Sequence, residues 1–447
     1  MFDLAVLNGM VVSATAVHHL SLGISHGRIA AILLPGEPVE ARATIDAGGK
    51  YVLPGLVDSH VHFREPGMTH KEDFASGSRA AAAGGVTTVM VMPTDKPATM
   101  TPDLFVQKRE LATGRCHVDF ALHVGLGPDT QHVRALADLG ASAFEIFIAD
   151  LAPPLLVETT HDLITALCAV RDVGGLAGIY PGDDSIVRAL TVREQASGGA
   201  DGPAFCRSRP PIAEAVGIAR ACLAVQQTGT RAHIRQVSCA AGVDVLRRLA
   251  PPWLTAEVTP HNLLLGEDEI ARQGAVAKIV PPLRPASDLA AVQAALRGGV
   301  IHTVATDHAP HTPAEKQAGE HDIWKAPGGF PGVQTWLPLM LRMVGDGMLT
   351  YPELVRVCCE APAALFGMAG RKGTLAVGAD ADLVVVDPSR SFTVRNEDQQ
   401  SRAGYTPFDG WTAPATPELA LLRGTVNMRE GVPEGSARGR FVAPDRR

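Results

Sequence analysis

From Gly55 to about residue 310, short apolar runs alternate with amphipathic stretches of helical period, and no other feature restricts the fold of this chain as much. A strand-like run followed by a helix, repeated, argues for βα units whose parallel strands are buried on both faces. Eight runs qualify: the one ending at His62, then 86–92, 117–122, 143–148, 176–180, 232–237, 254–258 and 301–306. Eight strands of this kind make a closed α/β barrel the economical topology. Helix-start signals separate them, with Thr69 and Glu72 spaced as a capping box and Pro102 placed at a first helical position after Thr101.

The two ends of the chain read differently. The first 50 or so residues alternate short β-like runs with Gly and Pro turns, and a similar pattern returns from about residue 375. We therefore expect residues 1–53 and 375–447 to build one small β domain beside a barrel of residues 54–374. A chain of 447 residues can bury a core of that size. Its net charge of −7 arises from charges mixed along the sequence, with no basic cluster to hold nucleic acid or an acidic membrane. The seven cysteines show no CxxC spacing, which suits a reducing compartment. With no basic start leading into a cleavable apolar segment, and no charge-free run of ~18 apolar residues, the expectation is a cytoplasmic protein.

In such a barrel the reactive residues sit at the C-terminal ends of the strands. The first run ends in Asp58-Ser-His60-Val-His62-Phe-Arg64 and the eighth in Asp307-His308-Ala-Pro-His311. Side chains two apart on a strand point the same way, so His60 and His62 can share one ion. With Asp307 they form a donor set suited to Zn²⁺ that leaves a position for water. The bland alternative is two core histidines and a capping aspartate, but burying so many polar groups on an apolar strand without a purpose is costly. Glu145, Tyr180 and Gln236 also fall near strand ends. His308 reads as structural. His233, three residues from Gln236, is expected to face the other side of its strand.

The stretches 54–67 (PGLVDSHVHFREPG), 80–93 (AAAAGGVTTVMVMP), 281–284 (PPLR), 305–311 (ATDHAPH), 326–332 (APGGFPG) and 404–411 (GYTPFDGW) together resemble dihydroorotase and the related allantoinase and hydantoinase group of the amidohydrolase superfamily. The resemblance implies a TIM barrel and hydrolysis of a cyclic amide by metal-activated water. In two-metal members His60, His62 and Asp307 would hold one ion, while a carboxylated lysine and two histidines would hold another. Here those last three positions carry Glu145, Tyr180 and Gln236. The losses fall on one ligand set and spare the other, which implies one zinc ion per chain, with other divalent metals as alternatives. Glu145 either reaches that ion as a fourth ligand or fills the vacated space with hydrogen bonds.

The same resemblance makes Asp307 the general base and Arg64 the grip on a substrate carboxylate, against the plainer reading of Arg64 as a rim salt bridge. Thr94 stands among the substrate-binding positions. His311 is either a hydrogen-bond donor over the substrate or an ordinary loop histidine. Asp95, beside Thr94, would oppose a carboxylate. The expected substrate is a small carboxylate-bearing cyclic amide, dihydroorotate first, with allantoinase, hydantoinase or cyclic-imide activity as alternatives. A different class also stays open, a catalytically silent homologue serving as scaffold. Homodimers or homotetramers are expected from the resemblance.

Overall fold

The computed structural model describes residues 1–445. The eight runs form eight parallel barrel strands. The first three are Leu56–Val61, Val86–Val91 and a third strand in two pieces, Asp119–Leu122 and Val124–Gly125. There follow Phe144–Phe147, Ala177–Tyr180, Ala232–Ile234, Leu254–Val258 and Thr303–Val304. The break in the third strand falls at His123, whose buried ring bonds the Ser59 carbonyl (3.0 Å) and the Ser142 hydroxyl (2.9 Å) inside the barrel. Closure comes from a parallel bridge between Val61 and His308, with the His62 amide donating to the His308 carbonyl at 2.7 Å. Asp58 reinforces that seam, accepting from the Thr306 amide (3.1 Å) and hydroxyl (2.6 Å).

Capping shows where sequence signals place helix starts well and where they do not. The helix Pro102–Ala112 begins at Thr101, whose hydroxyl accepts from the Leu104 amide. The first barrel helix, Phe74–Ala83, is capped by Asp73 and Ser76, and not by Thr69 and Glu72 as the spacing predicts. Glu72 is fully buried and its carboxylate binds the hydroxyls of Ser76 and Ser401, so it serves tertiary packing instead of the cap.

Both chain ends share one nine-stranded sheet. Tyr51–Pro54 pairs antiparallel with Leu383–Asp387, which joins Leu4–Val12, Val17–Ser25 and Arg28–Leu33 to Thr416–Leu422 and Thr425–Arg429. Its core includes Val6, Leu22, Ile24, Val52, Leu383, Val385 and Leu421. The sheet is clasped to the barrel by Lys372, whose ammonium meets Asp119 of the third barrel strand, Asp380 and Asp382. Arg423 adds a second cation on Asp119. Among the described residues no helix is long and apolar enough to cross a membrane.

Candidate metal centre and substrate pocket

The first and eighth strands bring His60, His62 and Asp307 together, one potential ligand atom from each lying within 4.8 Å of the others. The Nε2 atoms of His60 and His62 stand 3.3 and 3.0 Å from Asp307 Oδ1. Their other ring nitrogens are already engaged: His60 Nδ1 donates to Glu257 Oε1 at 2.7 Å, and His62 Nδ1 shares a 2.8 Å bond with the Thr94 hydroxyl. Such partners fix the ring orientations, and the Glu257 carboxylate makes Nδ1 the donor of His60, so both Nε2 atoms face the Asp307 carboxylate. Two imidazoles and one carboxylate, preset in this way, fit a divalent ion such as zinc. Burial works to raise the pKa of Asp307, but His60, His62 and His261 outweigh it and hold the carboxyl below its usual range, ionised. Burial takes His62 down to about 4, whereas for His60 burial is outweighed by Glu257 and Asp307, which raise it.

Other expected residues are distributed unevenly around this centre. Glu145, considered as a fourth ligand, does not join it, because the buried guanidinium of Arg235 takes both its oxygens, Nε reaching Oε2 at 3.1 Å. Gln236 does reach the centre: its Nε2 donates to Asp307 Oδ2 at 2.7 Å. The Tyr180 hydroxyl donates to Asp150 Oδ2 at 3.1 Å, and burial raises its pKa well above the ordinary value, so it stays a neutral donor. His233 keeps to the barrel interior, bonded to the Thr255 hydroxyl (2.7 Å) and Glu257 (3.2 Å). The reason differs from simple strand alternation, since the strand ends at Ile234 and Gln236 turns into the left-handed region with φ of 52°.

Arg64 makes no rim salt bridge among the described residues; its Nε donates to the Pro310 carbonyl (3.2 Å) and its Nη2 to His311 Nε2 (3.1 Å). His311 is held neutral by burial together with the flanking charges of Arg64 and Lys71. Thr94, expected at the substrate, is occupied in orienting His62 while also lining the cavity. His308 is structural, its Nδ1 accepting from the Gly332 amide at 3.1 Å. Asp95 is answered by the buried ammonium of Lys108 and the Thr99 hydroxyl, so its charge is countered before it can oppose an anion.

Sequence reasoning missed Glu257, Arg235 and Lys108, buried partners of residues that it did single out. The signal available was a charged residue inside a barrel run, Glu257 and Arg235 each being one. The donors open onto a cavity of about 580 Å³. Its lining includes the cations Arg64, Lys71, Lys96 and Lys278 and the apolar Phe147, Leu151, Leu155 and Phe205. Burial lowers Lys278 to about 8. A pocket of this size and mixed lining admits a small ring carrying an anionic group.

Comparison with known proteins agrees with this geometry. Residues 229–426 match the amidohydrolase family and residues 49–241 the dihydro-orotase-like family. A dihydroorotase of Methanosarcina mazei is 36% identical over 453 residues, covering 99% of this chain and 98% of that protein. An allantoinase of Rubrobacter xylanophilus is 35% identical over 454 residues, covering 100% and 98%. The solved structure of an L-hydantoinase (dihydropyrimidinase) from Arthrobacter aurescens aligns with a TM-score of 0.95 at 35% identity, over 99% of this chain and 100% of that one. The chain belongs to the amidohydrolase family and is a cyclic amidohydrolase.

Proposed function

We propose that this chain hydrolyses the C–N bond of a small cyclic amide at a single zinc ion held by His60, His62 and Asp307. The observation that carries the one-ion reading is that the three donors converge with their outer partners in place, while Glu145 is committed to Arg235 and Tyr180 to Asp150. A bound divalent ion supplies acidity to water and polarises the amide carbonyl. Asp307 is the general base. Held by Gln236, it accepts a proton at Oδ2 from the attacking water and returns it to the ring nitrogen as the C–N bond breaks.

The cations in the pocket lining support a carboxylate-bearing ring, with dihydroorotate the first substrate to test. Arg64, aligned by Pro310 and His311, would receive the carboxylate, with Thr94 and His311 completing that wall. The apolar lining residues Phe147, Leu151, Leu155 and Phe205 favour a second reading, a hydantoinase-type enzyme whose ring carries an apolar substituent. Assembly as a homodimer or homotetramer is supported by Ile212, Val216 and Leu223, exposed along one face of the helix Pro211–Thr228.

The test joins elemental analysis of the purified protein to a panel of cyclic amides. About one ion per chain is expected, with ring-opening of dihydroorotate faster than of hydantoins. Undiminished turnover by metal-free protein would remove the metal-dependent reading. Preference for alkyl hydantoins would select the second one.

A further inference from the structure

Directly beneath the donors lies a group of buried charges that the proposed reaction does not use. Arg235 is 0% exposed, as is Glu257, and Glu145 is 1% exposed. The guanidinium donates through Nε and Nη2 to Glu145, and through Nη1 to Glu257 Oε2 (2.8 Å) and the Ser59 carbonyl (3.3 Å). Glu257 Oε1 in turn accepts from His60 Nδ1, and Ser59 is the residue before His60. One planar cation thus touches both the side-chain support and the backbone support of a single ligand. The fit is close: a Cβ on Gly178 would lie 2.2 Å from Glu145 Oε2, so only glycine leaves room for the carboxylate on the neighbouring strand.

We propose that Arg235 is a positioning residue for the metal centre, tying Glu145 to Glu257 and, through Glu257, holding His60 with Nε2 turned to Asp307. The inference rests on the one-ion reading above. Charge supports it as well as geometry. Two carboxylates against one guanidinium, with Asp307 added, leave two negative charges around the donors, which one divalent ion neutralises. An ammonium does not reproduce this arrangement, because its three donors issue from one atom, whereas the guanidinium spreads Nε, Nη1 and Nη2 over a rigid fork that reaches Glu145, Glu257 and the Ser59 carbonyl.

The test compares Co²⁺ binding, by equilibrium dialysis and by the visible spectrum of the bound ion, in the full-length wild type, Arg235→Lys and the charge-balanced double variant Arg235→Met/Glu145→Gln. Removing an outer-shell partner of a metal-ligating histidine weakens binding about 10–100-fold, and we expect a loss of that size with an altered spectrum in both variants. The double variant removes one charge of each sign, so it separates ligand positioning from simple charge compensation. Arg235→Lys covers the case in which the double variant lacks a cooperative thermal transition. Wild-type affinity and an unchanged spectrum in either folded variant would overturn the role of Arg235 and leave the one-ion reading standing. Wild-type protein that takes up no ion, or two magnetically coupled ions when loaded with Mn²⁺, would overturn both.

Discussion

Among the described residues, two groups of three side chains satisfy the same spacing for holding a cation, and they differ in what faces them. His60, His62 and Asp307 open onto a cavity, with the Nδ1 atoms of both histidines held by Glu257 and Thr94. Asp119, Asp380 and Asp382 converge on the Lys372 ammonium at 2.5, 2.9 and 2.7 Å. The second group already has its cation, supplied covalently by the chain, and it lies at the seam between barrel and sheet. Donor count and spacing therefore do not make a metal site. What separates the two is whether a cation of the chain already sits among the donors.

The sharpest way to break this contrast is to remove one member of each group. Asp307→Asn should lower kcat about 10²–10⁴-fold through loss of the base, and an activity within about tenfold of wild type would remove Asp307 from that role. Lys372→Met should do the opposite, costing about 3–5 kcal/mol in denaturant unfolding because it strands buried carboxylates, with metal per folded chain unchanged. Chelation comes next. At about 100 Kd of free ion the open group should contribute roughly 2.7 kcal/mol to stability, removed by chelator and restored by metal, also in the Lys372→Met background.

Arg64→Lys sharpens the picture of the pocket. Loss of a forked donor should raise KM for a carboxylate substrate about 10–100-fold with kcat little changed, and an equal fall in kcat would point to a role in the chemical step. The last expected effect is in pH. Three aspartates outweigh burial and raise the pKa of Lys372, so its stabilisation is complete below about 10.5 and is lost only as pH climbs beyond that value. Lys278 is the reverse case, lowered by burial to about 8. Keeping it charged opposes folding below pH 8, and stability should rise between about pH 8 and 10.5 as it discharges. Denaturant midpoints across that range should lose the rise in Lys278→Met, and persistence of the slope would assign it elsewhere.

The barrel and the three donors were legible because both depend on local patterns: apolar runs between helix signals, and histidines two apart at a strand end. What surrounds the donors was less so. Gln236 leaves the strand with a positive φ, so counting alternate faces from His233 gave the right placement of His233 for an incomplete reason. Asp95 looked like an obstacle to an anion until the helix Pro102–Ala112 brought Lys108 against it. Glu145 lost its candidacy as a ligand to Arg235, 90 positions away. Each of these outcomes depends on a partner that only tertiary packing selects, and spacing along the chain carries no trace of it.

The seam where Val61 meets His308 has a bearing on how the protein is made. His62 and Asp307 are separated by 245 positions, and the structure joins them only where the last strand lies against the first. A nascent or truncated chain without the eighth strand would carry only the His60–His62 pair. Closing a loop of that length is entropically late among the contacts of a barrel, so a metal ion cannot nucleate the early steps. Uptake of the ion would instead report that the ring of strands is complete, and the order of events during synthesis would run from barrel to cofactor.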